Sequence, residues 1–150
     1  MKTIARLFVS LLSVCTAGSG LAVAQRAAPP PPSGDRVTAG GFITGTPTAV
    51  HGNFGVNARA TLSGHLNYVD HGTTVMHVSS TSITSYTIVN PTTRTITGTC
   101  RINGVAGFTF TATLTDNGEP GIADTFSISL SSGYNASGTL VGGNVQLHPG

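Results

Sequence analysis

The amino-acid sequence predicts an all-β domain in which successive strands form an antiparallel meander. Short segments alternate apolar with polar residues, and turn-forming residues interrupt them roughly every ten positions. Threonine and other β-branched residues, which suit pleated and half-buried positions, are abundant, and no long segment has the 3.6-residue period of an amphipathic helix. We therefore expect a β-sandwich, with a flattened up-and-down β-barrel as the alternative.

The N-terminal segment, residues 1–24, has the features of a secretory signal peptide. Lys2 and Arg6 form its basic start, residues 7–14 its apolar run, and residues 22–24 a small-residue cleavage site. The apolar run is shorter than the roughly 20 residues that a membrane-spanning helix needs. We expect cleavage at this site, export to the periplasm, cell surface or extracellular space, and no membrane insertion after cleavage.

Residues 25–36 predict a proline-rich linker, and residues 37–150 a single all-β domain. Consecutive prolines at positions 29–32 favour an extended polyproline segment. A domain of this length can bury one hydrophobic core without the help of a disulfide. Signal cleavage would leave Cys100 as the only thiol, and its place on an apolar stripe predicts that it packs as a small hydrophobic residue.

The charge of the mature chain excludes a nucleic-acid partner. The full sequence has 7 Lys+Arg against 5 Asp+Glu, and the signal peptide takes Lys2 and Arg6 with it, so the net charge falls to about zero. A nucleic-acid-binding domain needs a basic stripe that displaces counterions from phosphates, and this chain has none.

The alternation and the turn residues predict ten strands. In chain order these are residues 42–46, 53–61, 64–69, 75–79, 83–89, 94–102, 107–115, 125–130, 134–140 and 144–148. The last five are expected to form an antiparallel meander with one buried face. In its first hairpin the side chains expected to face inward are Ile96, Gly98, Cys100, Ile102, Phe108, Phe110, Ala112 and Leu114.

Loop lengths follow from the need to keep apolar side chains on one face. A three-residue bulged turn at 103–105, with Gly104 in the left-handed region, would pair Ile102 with Ala106, Cys100 with Phe108 and Gly98 with Phe110. A loop at 131–133 would pair Leu130 with Tyr134 and Ile128 with Ala136, and a two-residue loop at 142–143 would pair Leu140 with Val145. The first half must cover this face, and the side chains expected to do so are Phe42, Phe54, Val56, Leu66, Tyr68, Tyr86 and Ile88.

The loop before residue 125 contains four oxygen-bearing side chains that could bind calcium: Asp116, Asn117, Glu119 and Asp124. Calcium takes six to eight oxygen ligands, and these four side chains with backbone carbonyls could supply them. The same Asp-Asn-Gly and Glu-Pro-Gly sequences form turns without any ion, and the spacing differs from that of a calcium-binding hand. We keep both interpretations, a structural turn and a calcium site.

Other candidate chemistry is weaker. His65, His71 and His77 lie six residues apart, and a hairpin centred on Gly72 would place His77 opposite Asn67, but zinc needs a third ligand that the spacing does not supply. The sequence contains no nucleophile elbow and no His-Glu-x-x-His motif, so we predict no enzyme activity and no catalytic residue.

Threonines alternate along two of the predicted strands and form a polar face. They are Thr95, Thr97, Thr99, Thr109, Thr111, Thr113 and Thr115. Such a face is commonly the wet side of a sheet, and it can also bind glycans or another protein through many weak hydrogen bonds.

Several segments taken together resemble a known bacterial module. The segments are "GGFITGTP", "GHLNYVDHGT", "STSITSY", "RTITGTCRINGV", "TDNGEPGIADTFSISLSSGY" and "ASGTLVGGNVQLH". They resemble the post-COAP domain, a small β-domain of exported or surface-attached proteins. The resemblance implies export, a β fold and a supporting or adhesive task, and it transfers no catalytic residue.

The expected function is therefore that of an exported, non-catalytic accessory, binding or structural domain. Its expected partner is a surface glycan or an extracellular protein. Two alternatives remain: a spacer stabilised by calcium, and a barrel that carries a small molecule.

Overall fold

A computed structural model describes residues 29–150 of the chain. The predicted signal peptide and the first residues of the linker lie outside the described residues. Nine strands account for the secondary structure of the described part: β1 Arg36–Ile43, β2 Gly52–Arg59, β3 Gly64–Asp70, β4 Met76–Asn90, β5 Thr93–Ile102, β6 Val105–Thr115, β7 Thr125–Leu130, β8 Asn135–Thr139 and β9 Gly142–His148. The predicted all-β class is confirmed. None of the described residues forms a helix that could cross a membrane.

All nine strands belong to one antiparallel sheet with the order β8-β7-β6-β5-β4-β3-β2-β1-β9. Strands β1 to β8 follow one another as a meander, as predicted. The sheet is strongly curled. Phe54 on β2 stacks on Phe126 on β7 with ring centroids 3.9 Å apart, although four strands lie between β2 and β7 in the sheet order. The curl turns the inner faces of the two halves toward each other.

The predicted hairpin between the last two strands is wrong. Strand β9 pairs with β1, and Val145 lies opposite Ala39 instead of Leu140. The error arises at the other end of the chain, where the first strand was predicted at 42–46 and begins instead at Arg36. The earlier start supplies the residues of β1, Arg36 to Phe42, that pair with β9 where the sheet curls.

The hairpin of β5 and β6 has the predicted register through most of its length. Cys100 lies opposite Phe108 and Gly98 opposite Phe110, which confirms the prediction. The turn itself has two residues, and Ile102 pairs with Val105, so the predicted pairing with Ala106 is wrong. Asn103 and Gly104 both have positive φ, 47° and 83°, as a two-residue Asn-Gly hairpin turn requires. The extra residue lies in the strand, where the register shifts between Cys100 and Ile102.

Strand β4 is a single strand of 15 residues where two strands were predicted. The predicted break at residues 80–82 is therefore wrong. The structure keeps the pairing with β5 through this stretch by register shifts, one of them between Ser80 and Ser82. A β-bulge absorbs an extra residue without ending the strand, so a short polar run does not separate two elements.

The predicted inward positions form the core, with one exception. The buried hydrophobic side chains among them are Phe54, Val56, Leu66, Tyr68, Tyr86, Ile96, Cys100, Phe110, Ala112 and Leu114, while Ile88, Ile102 and Phe108 are half-buried against them. The inward position predicted for Phe42 is wrong, because its neighbour Ile43 is fully buried and Phe42 therefore lies on the outer face of β1. Burial raises the pKa of the Cys100 thiol, which agrees with its predicted packing role. The two inner faces contact each other through the Phe54–Phe126 stack, so side chains fill the space between them at this point.

A buried ion pair anchors the start of the sheet. Asp35, just before β1, is 1% exposed, and Arg94 on β5 donates to both its carboxylate oxygens at 2.8 Å. The Tyr86 hydroxyl also donates to this carboxylate. Burial alone would raise the pKa of Asp35, but the hydrogen bonds from Arg94 and Tyr86 and the charge of Arg94 together hold it below its ordinary value.

Candidate binding groove

The outer face of β9, β1, β2 and β3 has a shallow groove. Alternate residues of these strands point outward, and the strand registers arrange them in rows across the four strands. The row at the centre of the groove contains Asn144, Gly40, Gly55 and Asn67. The flanking rows contain Gly142, Phe42, Asn53 and Val69 on one side, and Gln146, Thr38, Asn57 and His65 on the other.

The floor of the groove consists of two adjacent glycines, Gly40 and Gly55. Neither has positive φ. A Cβ atom at Gly55 would meet no atom within 4 Å, and one at Gly40 would meet only the Phe54 carbonyl oxygen at 3.9 Å. By contrast, a Cβ at Gly98 would lie 2.1 Å from the Ser82 carbonyl oxygen. Packing therefore explains Gly98, whereas neither packing nor backbone conformation requires glycine at the groove floor.

A glycine inside a strand normally weakens it. The cost relative to alanine is roughly 0.5–1 kcal/mol, and such glycines often mark a place where a ligand or another backbone approaches closely. Two adjoining depressions, each of about 470 Å³, lie along this face. The missing side chains of Gly40 and Gly55 keep the floor between them open.

Carboxamides form the walls. They belong to Asn53, Asn57, Asn67, Asn144 and Gln146. Each amide offers both donors and an acceptor without a net charge. The side-chain oxygens of Asn57 and Asn144 are buried and have no hydrogen-bond partner among the described residues. An unsatisfied buried polar atom costs about 1–3 kcal/mol, so this face carries a second local cost besides its glycines.

The acidic loop between β6 and β7 covers the outer edge of β9. Asp124 is fully buried; its Oδ1 accepts a hydrogen bond from the Asn117 backbone N–H and its Oδ2 one from the Val145 N–H at 2.7 Å. One oxygen of Asp116 accepts from the Leu147 N–H at 3.2 Å. These carboxylates take the place of the carbonyl groups that a further strand would offer to β9.

The remaining two calcium candidates also have partners within the protein. The Asn117 side chain donates to the Ala123 carbonyl oxygen, and one oxygen of Glu119 accepts a hydrogen bond from Asn144. Across residues 29–150 there is no group of three or more His, Cys, Asp or Glu side chains arranged to hold a metal ion. Calcium binding by this loop stays a prediction, and the hydrogen bonds give the acids a structural role without it.

The histidines do not have the predicted arrangement. His77 lies opposite Val69 and not opposite Asn67, because the hairpin is centred on Thr73 and not on Gly72. His71 stacks on His51 with ring centroids 4.5 Å apart, and His65 belongs to the groove. The loop has the predicted length but lies one residue further along the chain, which shifts the register by two residues and separates the three side chains.

A third buried acid, Asp70, organises the end of the domain near the β3–β4 loop. The Asp70 carboxylate is 1% exposed and accepts hydrogen bonds from the hydroxyls of Thr48 and Tyr134, both at 2.8 Å. The Tyr134 hydroxyl also shares a 2.7 Å hydrogen bond with that of Tyr68. Burial, together with these hydrogen bonds, raises the pKa of Tyr134 well above its ordinary value. This cluster ties the β7–β8 turn to β3.

The predicted threonine face lies on the outside of the other half of the sheet. Thr95 is opposite Thr113, Thr97 opposite Thr111, and Thr99 opposite Thr109. The first pair shares a hydrogen bond of 3.0 Å between its hydroxyls. Cross-strand hydroxyl pairs of this kind stabilise a sheet by themselves, so the face has a structural explanation.

The groove is not predicted from the sequence. Its signal in the sequence is the pair of glycines within the alternating stretches of β1 and β2, and only the register of β9 against β1 shows that the amides surround them. Comparison of the chain with protein-family models, with curated proteins and with solved structures found no match.

Proposed function

We propose that this chain is an exported, non-catalytic binding domain whose groove binds a glycan. The observation that carries the proposal is the pair of adjacent strand glycines, Gly40 and Gly55, for which neither packing nor φ gives a reason. An open floor lets a ligand approach the backbone of the sheet. The two glycines thus lower the stability of the strands and leave the backbone of the sheet accessible to a ligand.

The lining favours a sugar over other small ligands. Sugar hydroxyls both donate and accept hydrogen bonds, and the amides of Asn53, Asn67 and Gln146 offer the same two capacities without charge. Phe42 lies in the row next to the glycines and offers an apolar surface for the carbon side of a ring. The groove is open along the sheet face, which suits a chain of sugars better than an enclosed molecule.

The position of the acids supports a binding role over a catalytic one. The three buried carboxylates Asp35, Asp70 and Asp124 are all engaged by donors that hold the fold. Catalytic acids need a substrate within hydrogen-bond reach. The Phe54–Phe126 stack inside the sheet likewise favours an outer binding face over the carriage of a small molecule in a barrel.

Export remains part of the proposal and depends on the signal-like residues 1–24 and on the resemblance described above. The proline segment would hold the domain away from its attachment. Asp35 lies three residues after the last proline and is fixed in the core by Arg94, so the domain is anchored close to the proline segment.

We also propose that the curled sheet acts as a flattened barrel and not as a sandwich of two separate sheets. Its support comes from the two edges. The Ser137 N–H of β8 donates to the Gly45 carbonyl oxygen at 2.9 Å, and the Val145 N–H of β9 donates to Asp124. Both edges therefore have partners where a barrel would close.

A glycan array, followed by calorimetry on any ligand found, tests the function. The wild-type domain is expected to bind at least one polysaccharide, and Gly55→Val to reduce its affinity by tenfold or more because the side chain fills the floor. The melting temperature of this variant should be unchanged or higher, because valine favours strands.

Thr111→Val, on the threonine face, is the matched control and should bind like wild type. Two results would contradict the proposal: no binding across a broad array, or full binding by Gly55→Val. Loss of binding in Thr111→Val but not in Gly55→Val would move the site to the threonine face.

A further inference from the structure

Two arginines lie side by side at one end of the groove. Arg36 on β1 is directly opposite Arg59 on β2, and both point outward, because their neighbours Val37 and Ala58 are fully buried. The pair lies four residues along the strands from Gly40 and Gly55. At about 3.3 Å per residue, this separation is about 13 Å, so the arginines adjoin the groove without lying on its floor.

No carboxylate compensates this pair within the described residues. The chain has five acids, and all five have hydrogen-bond partners elsewhere in the structure: Asp35, Asp70, Asp116, Glu119 and Asp124. The single salt bridge of residues 29–150 joins Arg94 to Asp35. Arg36 and Arg59 therefore have no acidic partner there.

Like charges directly opposite each other destabilise a pair of strands. The cost falls on the same outer face as the unexplained glycines and the unsatisfied amide oxygens. An anion placed between two guanidinium groups would remove the repulsion and accept charge-assisted hydrogen bonds from both.

We infer that the ligand of the groove is an acidic polysaccharide, with a carboxylate or sulfate group held by Arg36 and Arg59. This inference rests on the proposed function, since the sugar chain itself would lie in the amide groove. The neutral groove would select the sugar, and the arginine pair would select its charged substituent. The spacing of about 13 Å between them requires an oligosaccharide, because a single sugar does not span it.

The experiment measures the binding of the exported domain to matched polysaccharides that differ only in charge. The probes are dextran, carboxymethyl-dextran and dextran sulfate; chondroitin and chondroitin sulfate; and polygalacturonate and its methyl ester. In at least one set, an acidic member should bind about tenfold more tightly than its neutral counterpart, and added NaCl should weaken this difference. Comparison of the carboxylated with the sulfated members identifies the anion.

Arg59→Gln is expected to remove the preference for the acidic polymer and to leave binding of the neutral polymer unchanged. Its melting temperature should be equal or higher, because the repulsion of Arg36 is relieved. Arg101→Gln, which removes an exposed arginine from the threonine face, is the matched control and should retain the preference.

Equal binding of acidic and neutral polymers would overturn the inference and leave the proposed function intact. A preference that persists in Arg59→Gln, or that disappears in Arg101→Gln, would also overturn it. The absence of binding to every polymer would contradict the proposed function as well.

Discussion

At the scale of single residues, the domain depends on buried charges that the fold itself satisfies. Asp35 and Arg94 are 1% and 2% exposed, and their two parallel hydrogen bonds join the start of β1 to β5. Arg94 also donates to the carbonyl oxygens of Asn90 and Thr93. Because every charged atom has a partner, removing one partner leaves an uncompensated charge in the core.

Arg94→Gln is therefore expected to lower the free energy of unfolding at neutral pH by about 3–5 kcal/mol. In the wild type the folded-state pKa of Asp35 lies below its ordinary value. The resulting stabilisation is complete above about pH 4 and is lost as the pH falls further. Urea denaturation from neutral to acid pH should show this loss for wild type and not for Arg94→Gln. Equal stability of the two proteins at neutral pH would show that the ion pair contributes nothing.

At the scale of elements, the acidic loop between β6 and β7 satisfies the backbone N–H groups on the outer edge of strand β9. The β9 amides of Val145 and Leu147 face the loop, and the carboxylates of Asp124 and Asp116 accept their hydrogen bonds. An unprotected edge strand invites pairing with other chains. The acids that resembled a calcium site in the sequence thus protect an edge of the sheet.

We expect the melting temperature to be the same in a chelator and in added calcium, because these carboxylates already have hydrogen-bond partners. Asp124→Asn should lower the free energy of unfolding by about 1.5–3 kcal/mol in both solutions, since it weakens charge-assisted bonds to backbone N–H groups. Differential scanning calorimetry measures both effects. A calcium-dependent rise that Asp124→Asn abolishes would show that the loop binds the ion, since a ligand of the native state raises stability by mass action.

At the scale of the whole molecule, the sequence predicted the features that are set by residues close together in the chain, namely the inward-facing positions of strands and the pairing within a hairpin. The alternation placed Ile96, Phe110 and Leu114 in the core, and the need to keep apolar side chains on one face placed Cys100 opposite Phe108, although the loop length predicted with it was wrong. The pairing of β9 with β1 joins the two ends of the domain. No local pattern contains that information, because it depends on how far the whole sheet curls.

The groove was missed for the same reason. Its walls come from β9, β2 and β3 and its floor from β1 and β2, so it is complete only after the ends of the domain have met. The buried pair of Asp35 and Arg94 is also non-local, and Asp35 lies within the segment that composition assigned to the linker. Proline-rich composition describes residues 29–32 well and cannot show that a residue so close to them is buried.

The N-terminal boundary of the folded unit gives the last prediction. A chain that begins at residue 34 retains Asp35 and Arg36, whereas one that begins at residue 37, the boundary suggested by composition, loses both. The shorter chain leaves Arg94 buried without its carboxylate and removes one pair of the β1–β9 ladder, so its free energy of unfolding should be lower by about 3–5 kcal/mol. Urea denaturation of the two chains measures the difference.

A third chain that begins at residue 34 and carries Asp35→Asn separates the loss of charge from the loss of backbone. This substitution alone should cause most of the decrease in the free energy of unfolding. Equal stability of the first two chains would place the true start of the domain after Asp35 and would show that the ion pair does not anchor the end of the linker.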